Sequence, residues 1–362
     1  MSVRSYRESI IANRTRNLKL MRDFQKFIDK HIGRAFRDIS SMILGIGAME
    51  NPITLHQWRS ATNARELGAI IELFRNGFNE DLIAAMNQTV GSTVKLYSNE
   101  TNLLLAARGL EAVNFTGINA AALQEVLTRI GSDGLILSDR IWRLGTNFKS
   151  QIDRIVLSSI AQGRSAIDTS KALRQFIKSP LGRDSIADIR KLRGESRRLG
   201  QTLRSSSLRM ARSEIHNAFW ETSVRSARKS PVVIAQKWNL SAGHGDRVGF
   251  DICDVLADSD MYGLGGGVYP TGNVPIVPHP NDICFLTDVI RPAKDWGKKK
   301  PIFKRRDLRS FTPDMPNIGT QFGVAAPRGL GSTIQRTTSF TQNARDRLLA
   351  DFRSAMASAS GR

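Results

Sequence analysis

Between residue 5 and about residue 44, apolar side chains recur mostly at three- and four-residue steps. They are Ile10, Leu18, Met21, Phe24, Ile28, Ile32, Phe36 and Ile39, with arginines and lysines between them. That period predicts one long helix with a single buried stripe, ended by Gly45, Gly47 and Pro52. A second helical pattern covers about 61–76 and includes ARELGAIIELF, with Gly77 as its stop; a third covers about 80–97. A short apolar run in ETNLLLAARGL leads to the loop NFTGIN, and AALQEVLTRI then reads as helix up to the break GSDG. From Leu137 two further helices are expected, the first ending at Gly163 and the second capped by Ser165 or Asp168, with Pro180 and Gly182 closing the pair.

Residues 185–229 read as a basic helical arm, with Arg190, Lys191, Arg193, Arg197, Arg198, Arg204, Arg209 and Arg212 along it. Gly194 and Gly200 interrupt it, while Leu203, Met210, Ile215, Phe219 and Val224 form its inward stripe. After Pro231 the pattern changes. VVIAQKWNL reads as a strand, GLGGGVYPTGNVPIVPHP as loop with one or two short strands, and CFLTDVI as a closing strand. Beyond Trp296 the run GKKKPIFKRRDLR is too charged for a core, and the rest reads as tail with one terminal helix, ARDRLLADFRSAM. The expected fold class is α+β and helix-dominated. A helical region over 1–182 precedes a small α+β module over 183–295 and a basic, largely extended tail over 296–362.

Composition changes the picture in one respect. A hydrophobic share of 41% supports a true core, but 53 Lys+Arg against 33 Asp+Glu leave a net charge of +20. Such a charge bears on partners rather than on fold, and nucleic acid, an acidic protein or anionic lipid are its natural counterparts. The acids near the arginine arm, Asp188, Glu195 and Glu214, are too few to neutralise it. Arg190, Arg193, Arg197, Arg198, Arg204 and Arg209 are therefore the candidate contacts to a polyanion. Aromatic residues are not interleaved with them, so contact with duplex DNA would be sequence-nonspecific. Two cysteines do not make a secreted disulfide framework, the first residues lack the apolar segment of a secretory signal, and no stretch approaches a membrane span. Synthesis in a reducing cytoplasm and no membrane partner are expected.

The candidate chemistry lies in the α+β module. Cys253, His279, Asp282 and Cys284 supply thiolate, imidazole and carboxylate, a donor set suited to zinc. Pro278 and Pro280 would stiffen the histidine's loop. The spacing lacks a paired C-x-x-C, and two buried thiols beside a hydrogen-bonded histidine account for it equally. The same atoms could form a thiol nucleophile, although a strand beneath Cys284 offers no helix dipole to activate it. GLGGGVY matches neither a P-loop nor a dinucleotide fingerprint and reads as a turn.

Taken in order, residues 207–290 resemble the Mu F-like minor head proteins of tailed bacteriophages, the phage head morphogenesis family. MARSEIHNAFW matches that family's arginine-led helix through Arg212, Glu214, Asn217 and Ala218. Lys237-Trp238 match its Lys/Arg-Trp strand, and His244, Asp246 and Arg247 loosely match the polar segment that follows. The family's C-x-x-C is FDIC here, with Phe250 in the first cysteine's place. Its closing H-P-x-C-R-C is HPNDIC, with Asp282 and Ile283 replacing cysteine and arginine. The resemblance implies a non-enzymatic structural protein of the virion, in the head interior or at the portal vertex, assembled in the host cytoplasm. Its implied partners are the portal protein, capsid or scaffold proteins and packaged double-stranded DNA. The implied cofactor content is none, or one structural zinc. The alternatives are a sequence-nonspecific nucleic-acid-binding protein outside any virus and a zinc- or cysteine-dependent hydrolase.

Overall fold

The computed structural model describes residues 3–46, 51–63, 65–130, 134–178, 203–242, 244, 251–277 and 282–304. Among the described residues, seven helices precede the first strand: α1 (Val3–Ile46), α2 (Leu55–Asn63), α3 (Glu66–Ala106), α4 (Ile118–Thr128), α5 (Leu137–Ala161), α6 (Ala166–Lys178) and α7 (Leu203–Lys229). Strand β1 (Val233–Asn239), the short helix α8 (Ile252–Asp258), β2 (Val268–Pro270) and β3 (Phe285–Ile290) follow. The helix-dominated α+β class holds. Two compact units do not follow the linear division drawn at 182 and 295. One comprises Met1–Arg16, Val90–Ala122 and His216–Arg362, and the other Asn17–Thr89 and Leu123–Ile215. Long helices permit this, because one helix can contribute to both units.

In the second unit, α1 buries Met21, Phe24, Ile28, Ile32, Phe36, Ile39 and Ile43, the helical spacing read from the sequence. Leu18 is only half-buried; the buried position next to it is Asn17. Phe148 of α5 lies 5.5 Å from Phe36 and 5.4 Å from Phe74 of α3, ring centre to ring centre. Each such buried ring contributes about 1.5–3 kcal/mol. Gly77 does not stop a helix: α3 runs through it without interruption. A Cβ there would collide with the ring of His31, whose Nε2 lies 2.6 Å from Asp81 Oδ2. The glycine serves the close approach of α1 and α3. Ser165 caps α6, accepting from the Asp168 amide at 3.1 Å.

In the first unit, an antiparallel sheet of order β2-β1-β3 places the tryptophan strand at its centre. Trp238 is fully buried and meets Trp220 of α7 at 4.6 Å, ring centre to ring centre, within a core that includes Val224, Leu256, Tyr269 and Leu286. A second core gathers Tyr6 and Ile10 of α1, Tyr97, Leu104 and Leu105 of α3, and Val232, Val233 and Trp296. From Glu214 to Val224, α7 is buried on every side, although the sequence pattern had suggested a one-sided basic arm. The buried hydroxyls of this stretch are satisfied by its own backbone. Thr222 donates to the Ala218 carbonyl and Ser223 to that of Phe219, at 2.6 and 2.8 Å.

Among the buried carboxylates of this unit, Asp288 is answered by three separate elements. Asp288 of β3 accepts hydrogen bonds from the Tyr6 hydroxyl at 2.9 Å, the Tyr97 hydroxyl at 3.2 Å and Gln236 Nε2 at 2.8 Å. Burial raises its pKa, and the three donors only partly offset that. Within residues 296–304, read as the start of the tail, Trp296, Lys300 and Phe303 pack while the positions between them stay exposed. Lys300 Nζ donates to the carbonyls of Ala227 and Arg228 at the end of α7, at 2.9 and 3.0 Å. Burial lowers the pKa of that ammonium to about 8. Phe303 leans on the Trp238 core. A long aliphatic stem lets a lysine do this where the run as a whole reads as solvated. The remainder of the tail and its terminal helix lie outside the described residues.

Two outcomes follow for stability. In urea melts Gly77→Ala fails to deliver the gain of about 1 kcal/mol that alanine brings to a helix interior, because the added Cβ displaces the His31 ring from Asp81. A gain in stability would contradict the close-approach role. Asp288→Ala strands three buried donors and costs about 3 kcal/mol or more. Because folding raises the Asp288 pKa, the acid's contribution is fully present below about 3.9 and is lost as pH rises through the folded value. The stability of wild type relative to Asp288→Asn therefore falls as pH increases from about 4. Paired urea melts giving a pH-independent difference would refute this.

Candidate metal centre

Local chain geometry brings the two cysteines together. Asp251 caps α8: its side chain accepts from the Cys253 amide at 2.7 Å, while Asp254 Oδ2 accepts from the Asp251 amide at 2.8 Å. That capping box fixes Cys253 in the first turn, with its side chain inward. Just ahead of β3, Asp282 Oδ1 accepts from the Cys284 amide at 2.7 Å, and Phe285 is then held opposite Asn239 of β1. Cys253 Sγ lies 3.2 Å from Asp282 Oδ2. One donor atom each from Cys253, Asp282 and Cys284 lies within 4.8 Å of the others, and all three residues are buried.

His279 lies outside the described residues. The histidine that the described structure brings to the thiols is His244, in the loop after β1. Its Nδ1 lies 3.7 Å from Cys284 Sγ, and its Nε2 lies 3.2 Å from Asp251 Oδ1 and 3.3 Å from Asp254 Oδ2. In the sequence His279, five positions (284 − 279) before Cys284, is the nearer partner for a thiol, and His244, nine positions (253 − 244) before Cys253, matches no metal-ligand spacing. The available signal was a histidine, one of five in the chain, directly after the tryptophan strand and a few residues before two helix-capping aspartates.

Both sulfurs are completely buried. The Cys253 pKa is pushed well up by the hydrogen bond with Cys284, by burial and by the charge of Asp282. A thiol held in this way is a poor nucleophile unless a cation draws off its proton. Cys284, His244 and Asp251 do follow one another as in a thiol relay, but the sulfur at its head is sealed from substrate. Two thiols and a carboxylate converge at one buried point, with the His244 imidazole 3.7 Å from one of the sulfurs, a donor set that fits a zinc ion.

Of the predicted basic contacts, Arg190, Arg193, Arg197 and Arg198 lie outside the described residues. Arg204 forks onto Asp29 at 2.6 and 3.1 Å, and Arg209 is exposed on α7. Of the residues carrying the resemblance, several are buried. Arg140 of α5 donates to the buried Glu214 at 2.8 Å, Asn217 is buried, and Arg212 is half-buried. Lys237 projects outward while its neighbour Trp238 fills the core. The glycine run is a turn closed by a carboxylate: Asp260 Oδ1 accepts from the amides of Leu264 and Gly265. Gly267, at φ +69, approaches the Ala257 carbonyl so closely that a Cβ would collide with it. No described helix is long and apolar enough to cross a membrane.

No family model matches this chain, and neither a curated protein nor a solved structure matches it.

With both sulfurs buried, neither cysteine of the folded protein reacts with iodoacetamide at neutral pH on the timescale that modifies free thiol, and both react in denaturant. Mass spectrometry of alkylated protein checks this. Rapid labelling of Cys284 in the native state would restore the nucleophile reading.

Proposed function

We propose that this chain is a non-enzymatic minor head protein of a tailed bacteriophage, held at the portal or the capsid interior against packaged DNA. The observation that supports this most is the way the segment carrying the resemblance folds. The arginine-led helix, the Lys237-Trp238 strand and the Cys253 and Cys284 knuckles build one continuous core in the order expected of that family, with Trp220 against Trp238 at its centre. The buried sulfurs favour a scaffold over a catalyst. The charge of +20 suits a partner dense in phosphate, and Arg209 and Lys237 are exposed cations on the described surface.

A free, sequence-nonspecific nucleic-acid binder is the second reading, favoured by the same charge. Affinity capture of the full chain from the cells that make it separates the two. The head-protein reading expects the chain in particle-sized assemblies with a portal ring and shell protein, retained after nuclease treatment. Recovery only as free chain, or only with nuclease-sensitive material, would overturn it.

A further inference from the structure

We propose that Cys253, Cys284, His244 and Asp282 are the four protein ligands of a structural zinc ion, and that Asp251 and Asp254 brace the far nitrogen of His244. The proposal rests on side-chain geometry and stands whether or not the chain is a head protein.

Distances come first. Zinc bonds of about 2.3 Å to sulfur and 2.0–2.1 Å to nitrogen or oxygen place neighbouring donors of a tetrahedron roughly 3.5–3.8 Å apart. Cys284 Sγ and His244 Nδ1 are 3.7 Å apart, and Cys253 Sγ and Asp282 Oδ2 are 3.2 Å apart. Small side-chain adjustments take both separations onto the edges of such a site.

The orientation of each donor is also fixed. The imidazole turns Nδ1 to the thiols and Nε2 to two carboxylates, the arrangement by which a metal-binding histidine is oriented and made more basic. Asp282 gives Oδ1 to the Cys284 amide and keeps Oδ2 toward Cys253, which suits a carboxylate binding through one oxygen. Two thiolates select a borderline-soft ion and disfavour calcium or magnesium.

Charge agrees. Two thiolates and a carboxylate against one divalent ion leave a net charge of −1 on the ligand set, to which Asp251 and Asp254 behind His244 add, so a nearby cation is favourable. Arg14 of α1 provides a cation at that edge. Its guanidinium carbon is 3.7 Å from the centre of the Phe285 ring, and one of its nitrogens is 3.5 Å from the Ile283 carbonyl.

The fold supplies a need for the ion. Between β1 and β3 the described regular structure amounts to a seven-residue helix and a three-residue strand. Elements that short gain little from their own packing, and a metal joining three distant segments supplies the missing constraint.

Metal analysis of the full-length chain, with X-ray absorption on the zinc-loaded protein and visible spectra after cobalt substitution, tests the assignment. We expect one zinc per chain, bound by two sulfur and two nitrogen or oxygen atoms, and a tetrahedral cobalt spectrum with thiolate charge transfer. His244→Gln and Cys253→Ser lose stoichiometric zinc, whereas His279→Gln keeps it. Asp254→Asn, which retains an acceptor for the Asp251 amide, weakens zinc about 10–100-fold in chelator competition. Where a variant fails to fold, the spectra of the wild-type chain decide. A folded wild-type chain that takes up no stoichiometric zinc when zinc is supplied, or an absorption spectrum without sulfur ligands, would overturn the proposal. So would loss of zinc in His279→Gln with full retention in His244→Gln.

Discussion

A carboxylate placed where water does not reach it must be answered by the protein, and Asp288 is answered from three directions. Tyr6 belongs to the first turn of the first helix, Tyr97 to the third helix and Gln236 to the central strand, yet all three donate to the same two oxygens. Removing any one donor leaves a charge-bearing group short of a partner, and buried groups of that kind are costly to strand. Apolar packing around Trp296 and Val233 brings these elements close, but it tolerates slippage that hydrogen-bond geometry does not. The carboxylate therefore sets the register of the carboxy-terminal strand against the helices.

That register carries the position of the two cysteines with it. β3 begins directly after Cys284, and its pairing with β1 holds Phe285 opposite Asn239. Asn239 reinforces the pairing by donating to the Phe285 carbonyl and to Thr287 Oγ1. On the other side, the capping box of α8 points Cys253 toward Asp282, and the close approach of Gly267 holds the end of that helix against the glycine turn. The thiols meet because a strand and a helix start are each fixed independently.

Much of this was legible in the sequence, and each part that was not has a physical cause. The stripe of α1 followed from periodicity, which reports burial on one face, and β1 and β3 from short apolar runs, whereas β2 was legible only as one or two short strands within the glycine-rich loop. Gly77 read as a stop because glycine is a poor helix former; its role, making room for the His31 ring, depends on a residue 46 positions away (77 − 31). α7 read as a one-sided arm because periodicity fails for a helix buried all round, whose serines and threonines bond to their own backbone. Cys253, Asp282 and Cys284 were found by residue type, whereas His244 was missed because loop closure, not spacing, brings it to the sulfur. Lys300 was assigned to a solvated tail because its neighbours are charged, and its reach to the end of α7 is a tertiary property.

The central claim is that Asp288 couples the first helix to the closing strand. Native-state hydrogen exchange of Tyr6→Phe, followed peptide by peptide, tests it most directly. The account predicts faster exchange in β3 and in the central strand as well as at the start of α1, although the altered residue lies 282 positions from Asp288. Faster exchange confined to the first turns of α1, with the strands unchanged, would contradict it.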